Sequence, residues 1–167
     1  MPKLIKRVAD DFVETDDPFT AVADDQETPD GDVIVSFARF QTDGDNLIGQ
    51  DRRVGVRLEP ADEVEALSYD LAGLSVVALA FPKFRDGRAF TSAHLLVQRL
   101  KFSGEVRAVG EVLRDQAGFM VRCGFNAFEP ADGATADQWA RSVHRHRHVY
   151  QRAADTRPPA FIAREGR

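Results

Sequence analysis

Residues 75–81, Ser-Val-Val-Ala-Leu-Ala-Phe, form a short and continuously apolar segment that constrains the fold more than any other part of the chain. A short run of this kind is expected of a strand that is covered on both faces. Such strands occur in parallel sheets, because the helices that connect parallel strands pack against the sheet. We therefore predict that residues 75–81 form a central strand of an α/β protein.

Segments of strand and helix character alternate along the rest of the chain. Runs rich in β-branched and aromatic residues predict further strands at residues 33–40, 53–58, 105–109 and 125–129, with a turn-rich stretch at 42–49. Apolar periodicity predicts helices at 61–71, from Thr91 or Ser92 to Leu100, at 113–123, and from Thr135 or Asp137 to Val143. This alternation implies right-handed βαβ units. The predicted fold is α/β, with a parallel sheet of about four to five strands and flanking helices, either open or partly curled like half of a (βα) barrel.

The two ends of the chain differ in composition from this middle region. Residues 1–32 are acidic and include Pro18, Pro29 and Gly31, so we predict a loosely ordered arm with no regular element between residues 10 and 31. Residues 33–150 should form a single α/β domain. Residues 151–167 are predicted to be a mobile C-terminal tail, because this end is rich in Arg and Pro.

Composition excludes several classes of function. With 43% hydrophobic residues, 29% charged residues and a net charge of −5, the chain should fold, and it should lack the cationic face that nucleic-acid binding requires. No run approaches the roughly 18 apolar residues of a membrane span, and the N-terminus does not resemble a secretory signal. We therefore expect a cytoplasmic protein with no membrane and no nucleic-acid partner.

Cofactor and metal motifs are absent from the sequence. Cys123 is the only cysteine, which excludes an intrachain disulfide, an iron–sulfur cluster and a thiolate zinc site built by this chain alone. Neither a Gly-x-Gly-x-x-Gly fingerprint nor a Walker phosphate loop follows a predicted strand. His144 and His148 lie one helical turn apart, but we interpret them as part of a solvated helix end. The sequence therefore predicts no cofactor and no metal site.

The loop at residues 81–88, Phe-Pro-Lys-Phe-Arg-Asp-Gly-Arg, is the predicted functional site. It follows the central strand, and parallel sheets bind their ligands at the carboxyl ends of the strands. Lys83, Asp86 and Asp115 are the predicted catalytic residues, with proton transfer as their role. The predicted substrate-binding residues lie in the loop and after the other strands: Arg85, Arg88, Arg114, Gln116, Glu59 and Glu129. The cationic members of this set favour a small anionic ligand.

A structural interpretation of the same residues stands beside this one. Asp86 and Asp115 can pair with neighbouring arginines or cap helices, and Gly87 can serve only to make a turn. For Asp115 taken alone this interpretation is favoured, because acidic residues are common in the first turn of a helix. In the loop, however, three cations beside two aromatic residues are more than a turn requires.

Three motifs resemble a known bacterial family. They are the loop at residues 81–88, Gly-Glu-Val-Arg-Ala-Val-Gly-Glu-Val-Leu-Arg-Asp-Gln at 104–116, and Arg-Cys-Gly-Phe-Asn-Ala-Phe-Glu at 122–129. The chain resembles domain of unknown function 934 over about residues 33–148, and members of that family are described as uncharacterised oxidoreductases associated with sulfite reduction. The resemblance implies a role in sulfur assimilation.

Three functions remain open at this point. The resemblance implies an accessory protein or oxidoreductase component of assimilatory sulfite reduction, with sulfite reductase or its electron donor as partner. An accessory role fits best, because sulfite reduction needs siroheme and an iron–sulfur cluster, for which this chain has no motif. The alternatives are a stand-alone enzyme that acts on a phosphate- or sulfate-like substrate, and a protein-interaction module that uses the acidic residues 10–27. The pattern does not decide whether the chain forms a homodimer.

Overall fold

One sheet of eight strands and five α-helices form the framework of residues 4–165, the part of the chain that the computed structural model describes. The strands are β1 (Leu4–Val8), β2 (Asp11–Thr15), β3 (Thr20–Ala21), β4 (Val33–Ser36), β5 (Val54–Leu58), β6 (Leu74–Phe81), β7 (Glu105–Gly110) and β8 (Ala127–Phe128). The helices are α1 (Phe37–Ile48), α2 (Arg88–His94), α3 (Ala117–Cys123), α4 (Ala136–Val143) and α5 (Ala160–Glu165). The mixed α/β class agrees with the prediction.

The six strands from β3 to β8 are parallel and lie side by side in chain order. β1 pairs antiparallel with β8, and β2 forms the outer edge as the antiparallel partner of β1. The predicted number of about four to five strands is wrong, because the N-terminal segment contributes β1, β2 and β3 to the same sheet. β6 pairs with β5 on one side and with β7 on the other, which confirms the central position of residues 75–81.

The sheet curls like half of a barrel, which is the second of the two predicted arrangements. Parallel strands in sequential order, joined by right-handed connections, keep their helices on one side of the sheet. Along β6, Val77 and Leu79 belong to the large core beneath the helices, whereas Ala78 belongs to a smaller buried cluster on the opposite face. We call this opposite face the inner face; its buried apolar members are Phe19, Ile34, Val76, Ala78, Ala80 and Val109.

The first predicted strand is shorter than expected, because a helix begins inside it. β4 ends at Ser36, whose hydroxyl oxygen accepts a hydrogen bond from the backbone N–H of Arg39 at 3.1 Å and so caps α1. Phe40, which favours a strand in the sequence pattern, packs from α1 into the large core. The stretch at 42–49, for which the sequence predicts turns, continues this helix to Ile48.

The connection from β5 to β6 also differs from the prediction. The sequence predicts one helix at 61–71, but the chain forms two 3₁₀ turns, Val64–Leu67 and Leu71–Gly73. Val64, Leu67 and Leu71 are nevertheless buried in the large core. The apolar positions are therefore used as predicted, although the backbone that carries them is more tightly wound.

α2 begins earlier than predicted, at Arg88, because Gly87 and not Thr91 or Ser92 is its N-cap, whereas α3 and α4 lie close to their predicted boundaries. A π-helical segment, Leu95–Arg99, continues α2, and a 3₁₀ turn, Arg114–Gln116, precedes α3. Gly124 ends α3 with a φ of +113°, as predicted for a residue that must adopt a left-handed conformation. Thr135 rather than Asp137 caps α4, and Gln138 completes a capping box with it.

The N-terminal segment contributes three strands, β1, β2 and β3, to the sheet. β1 and β2 make a hairpin through Ala9 and Asp10, with Ala9 at a φ of +56°. Phe12 is the only buried residue of β2, and with Val13 it forms a pair of apolar residues among acidic and polar neighbours, which gives too weak a strand signal to detect. The expectation of no regular element between residues 10 and 31 is therefore wrong for β2 and β3. Residues 1–3 lie outside the described part of the chain, and the division into arm, domain and tail remains a prediction.

The C-terminal segment, predicted to be a mobile tail, has ordered contacts with the domain. It includes α5, and Asp155 pairs with Arg122 of α3 at 3.1 Å. Its mobility remains a prediction, and residues 166 and 167 lie outside the described part. Among the helices of residues 4–165, none is long and apolar enough to cross a membrane.

Candidate functional site

The loop at residues 81–88 is held against the segment that follows β7. The backbone N–H of Phe84 donates to the Glu111 carboxylate at 2.7 Å, and the backbone N–H of Glu111 donates to the carbonyl oxygen of Phe81 at 2.7 Å. Gly110 has a φ of +94°, and a Cβ at this position would lie 2.5 Å from the Phe81 carbonyl oxygen. Glycine at position 110 therefore permits the close approach on which the loop's anchoring depends.

Asp86 and Arg88 form an ion pair within the loop. Arg88 donates from Nε and Nη2 to the two carboxylate oxygens of Asp86, at 2.9 and 2.6 Å. The hydrogen-bonded guanidinium lowers the pKa of Asp86. A carboxylate held in this way is a weak proton acceptor, so the geometry favours the structural interpretation of Asp86, and its catalytic role remains a prediction.

Lys83, Phe84 and Arg85 are three consecutive exposed residues of the loop, and we call them the loop tip. The Phe84 side chain is 42% exposed, although it is a large apolar group. Within residues 4–165 the side chains of Lys83 and Arg85 have no ion-pair or hydrogen-bond partner. An exposed aromatic ring between two unpaired cations contributes little to folding, and such groups are typical of recognition surfaces.

The predicted residues after β7 are not joined to this loop by a hydrogen bond or an ion pair in the described part of the chain. Arg114 lies 3.7 Å from Asp132, and Asp115 is exposed. The Gln116 side-chain oxygen is buried and has no hydrogen-bond partner among residues 4–165. A single anion shared by the loop and these residues therefore remains a prediction.

A second group of charged residues lies on the inner face of the sheet, and Glu129 is its only member that the sequence predicts as a site residue. The side chain of Arg107 on β7 is 0% exposed. It donates two hydrogen bonds to Asp17, at 2.5 and 3.0 Å. Single bonds join it to Glu105 at 2.7 Å and to Glu129 at 3.1 Å, and Lys6 contacts Glu105 at 2.7 Å. These four bonds leave Arg107 little capacity to bind an external anion.

A cavity of about 250 Å³ opens beside this network, with Phe19, Arg57, Arg107 and Glu129 among its lining residues. The Phe19 ring lies against Arg107, with 5.8 Å from the guanidinium carbon to the ring centroid. Burial raises the pKa of Glu129, and the neighbouring Arg107 only partly opposes this effect. Glu129 therefore exchanges its proton at a higher pH than an ordinary carboxyl group, as general acids and bases in enzymes often do.

Glu59 and Glu129, both predicted as binding residues, line cavities on this side of the sheet. Glu59 pairs with Arg57 at 3.0 Å and lines an adjoining cavity of about 780 Å³. The two cavities share Ala21, Ile34 and Arg57. The predicted site residues therefore divide into three groups: those in the loop at residues 81–88, those that line the cavities beside the inner face, and Arg114, Asp115 and Gln116 after β7.

Arg107 carries a sequence signal that could have identified it. It alternates with Val106 and Ala108 in a strand whose apolar residues predict burial on both faces, so its charge needs partners. Asp17 carries no comparable signal, because it lies in a segment with many other acidic residues.

Cys123 and the histidines do not form a metal centre in the described part of the chain. Residues 4–165 contain no group of three or more His, Cys, Asp or Glu side chains that could hold a metal ion. Burial raises the pKa of the Cys123 thiol to about 11, which keeps the sulfur protonated and unreactive at neutral pH.

The fold and these two charged groups define a class of protein: a half-barrel α/β protein with an anchored cationic loop at its strand ends and a buried charge network on its inner face. The chain belongs to a bacterial family of unknown function, DUF934, whose sequence profile matches residues 55–161. The match includes all three motifs and confirms the family resemblance. No curated protein matches the chain.

Proposed function

We propose that this protein is an accessory component of assimilatory sulfite reduction, and that it docks on sulfite reductase or its electron donor through the loop tip. The pathway comes from the sequence resemblance, and the docking role comes from the geometry. The observation that carries the docking role is the exposed Phe84 between two unpaired cations on an anchored loop.

The loop tip has the composition and the rigidity of an interface anchor. Phe and Arg are enriched in the cores of protein interfaces. The Phe84 hydrogen bond to Glu111, together with a 2.9 Å turn bond from the Asp86 backbone N–H to the Lys83 carbonyl oxygen, orders the backbone before a partner arrives. Ordering in advance lowers the entropic cost of association. Lys83 and Arg85 would steer the loop toward an acidic surface.

A docking role is consistent with the chemistry that sulfite reduction requires. The electron transfers would take place on the partner's siroheme and iron–sulfur cluster, and this chain would contribute contacts only. Lys83 and Arg85 could instead hold a small oxyanion such as sulfite. A partner protein would contact the Phe84 ring, whereas a small oxyanion would contact only the two cations.

A deletion strain tests the pathway assignment. We expect it to grow with sulfide as sole sulfur source but not with sulfate or sulfite, and to regain growth on sulfite when the wild-type gene is restored. Growth of the deletion strain on all three sources would contradict a role in sulfite reduction.

Variants of the loop tip test the docking role in the same strain. Phe84→Ala and the double variant Lys83→Glu/Arg85→Glu should fail to restore growth and should lose copurification with the reductase. Tyr69→Ala, at a side chain that is 96% exposed, and Arg145→Glu, at another exposed position, are the matched controls. If Phe84→Ala behaves like the wild type while the charge variant fails, the loop binds an anion and does not dock a protein.

A second candidate function is favoured by the raised pKa of Glu129. The cavity of about 250 Å³ places this carboxyl group beside Arg57, an arrangement that could bind a small substrate and transfer a proton to or from it. The variant Glu129→Gln keeps the shape of the side chain but removes the proton exchange. If it alone abolishes complementation in a folded protein while Phe84→Ala does not, the protein is an enzyme that uses the inner face.

The third function, an interaction module built on the acidic residues 10–27, has less support. Asp17 binds Arg107, and Asp24 accepts a 2.5 Å hydrogen bond from the Ser36 hydroxyl. These acidic side chains are already used within the fold. Their deletion should therefore destabilise the protein before it removes any partner.

A further inference from the structure

A cleft of about 550 Å³ lies between α2, α3 and the chain at residues 146–153. None of the described residues that line it belongs to the loop tip or to the inner-face cavities. The cleft also contains two of the histidines of the basic run, His146 and His148, for which neither charge network offers a use. It is thus a third site, independent of the function proposed above.

The outer wall of the cleft is tied to α3 by a buried ion pair. Arg122 donates from Nη1 to both carboxylate oxygens of Asp155, at 3.1 and 3.2 Å, and the Asp155 side chain is 1% exposed. A third bond, from Nη2 of Arg122, reaches the Gln151 carbonyl oxygen at 2.5 Å, and the Ala154 backbone N–H donates to the Arg122 carbonyl oxygen at 2.9 Å. These bonds, made by the side chain and the backbone of Arg122, hold the wall at residues 146–153 beside α3.

Aromatic rings form much of the lining and are left uncovered. Phe90 and Phe119 make an edge-to-face pair with 4.7 Å between their ring centroids. The Phe119 side chain is nevertheless 57% exposed, and Tyr150 on the opposite wall is 89% exposed. Aromatic side chains commonly line the sites of small molecules, and these exposed rings are accessible to a ligand in the cleft.

The charged groups around the cleft are basic. Arg152 is exposed, and its side chain has no partner within residues 4–165. No Asp or Glu occurs among the described residues that line the cleft, whereas both inner-face cavities contain carboxylates. Since Asp155 neutralises Arg122, the unpaired positive charge of the lining lies on Arg152.

We propose that this cleft binds a small aromatic anion. Its ring would lie against Phe119 and Tyr150, and its carboxylate, sulfonate or phosphate group would pair with Arg152. The volume suits a bicyclic or nucleotide-sized ligand, within the range of about 300–1,000 Å³ that is usual for small-molecule sites. Both halves of the ligand are required, because neither the exposed rings nor one exposed arginine would retain a ligand alone.

Fluorescence titration of the full-length protein tests the two halves separately. The probe is anilinonaphthalene sulfonate, an aromatic anion whose emission rises in apolar surroundings; phenylnaphthylamine has the same ring system without the charge, and inorganic sulfate has a comparable charged group without the rings. We expect a single saturable site for the aromatic sulfonate, at least about tenfold weaker binding of the uncharged amine, and no competition by sulfate at millimolar concentration.

Variants connect the binding to the cleft. Phe119→Ala and Arg152→Gln should each weaken the binding of the aromatic sulfonate by about tenfold, and both change exposed side chains, so the fold is retained. The controls Tyr69→Ala and Arg145→Gln should bind as the wild type does.

Three results would overturn the proposal: no saturable binding, equal affinity for the charged and uncharged probes, or unchanged affinity in both cleft variants. Phe84→Ala should bind the probe normally, so failure of the cleft and failure of the docking loop can be distinguished.

Discussion

Replacement of Arg107 by Met tests whether paired charges hold the inner face together. Methionine retains much of the length of the arginine stem but carries no charge. In the variant, Asp17 and Glu129 lose the guanidinium that joins them, while Glu105 keeps its contact with Lys6. Two carboxylates are then left close together with no cation between them.

The burial of the four side chains sets the size of the effect. Removal of one partner from a buried ion pair costs about 3–5 kcal/mol. The Arg107 side chain is 0% exposed, but those of Asp17, Glu105 and Glu129 are 17%, 14% and 27% exposed, so water still solvates the carboxylates in part. We therefore expect the lower end, about 3 kcal/mol at neutral pH. For a chain of this length this corresponds to a fall of roughly 6–12 °C in Tm.

Urea unfolding, followed by the fluorescence of the single and buried Trp139, measures this loss directly. The deficit should shrink in mild acid. Burial already raises the pKa of Glu129, and removal of Arg107 takes away the effect that opposes it. The folded variant then holds a proton that the unfolded chain releases, so its stability falls as pH rises from the ordinary pKa of glutamate, about 4, through the raised pKa of the folded state.

Two results would refute this reasoning. One is a loss of less than about 1 kcal/mol at neutral pH, which is the scale of an ordinary substitution. The other is a deficit that does not shrink as pH is lowered from neutral to about 4, the ordinary pKa of glutamate. The control Arg145→Met, at an exposed position, should remain within about 0.5 kcal/mol of the wild type.

Three smaller predictions concern single positions. The folded-state pKa of Glu129 is raised, so the wild-type free energy of unfolding should fall as pH rises through the titration of this group. Glu129→Gln should lack this part of the pH dependence. Identical pH dependence of the free energy of unfolding in the two proteins would contradict the raised pKa. Gly110→Ala should lower the free energy of unfolding in urea by about 2 kcal/mol, because alanine is strained at a φ of +94° and its Cβ would meet the Phe81 carbonyl oxygen. The matched control is Gly87→Ala, where a Cβ would meet nothing closer than 3.6 Å. Thr135→Ala should lose about 1 kcal/mol with the capping box, Thr135→Ser should lose much less, and equal stabilities of the two would exclude the cap as the cause.

The parallel part of the fold was predictable because its signals are local. The apolar run at 75–81, the stop at Gly124 and the cap at Thr135 each depend on neighbours in sequence, and the structure places them as expected. The errors occur where distant residues decide the outcome. β1 is ordered by pairing with β8, which follows it by more than a hundred residues, and no pattern within five residues of strand can indicate that partner.

The candidate site divides in the same way. The loop at residues 81–88 could be found because the rule that places ligands at strand ends needs only the strand order. Its contact with Glu111 also follows from the neighbouring strand. The inner-face network could not be predicted from the sequence. Asp17 and Arg107 are 90 residues apart, and many other acidic residues of the chain were equally plausible partners for this arginine.

The buried guanidinium of Arg107 is one reason why part of the acidic N-terminal segment is ordered, beside the pairing of β1 with β8. Segments with many charges and few apolar residues do not bury enough apolar surface to fold. This one contributes Phe19 to the inner face, and Asp17 supplies two of the four hydrogen bonds to Arg107. The family match begins at residue 55, so it includes Arg107, Glu105 and Glu129 but not the acid that completes the network. The acidic residues of this segment predict a solvated arm in the sequence. One of them, Asp17, in fact supplies the negative charge that the buried Arg107 requires.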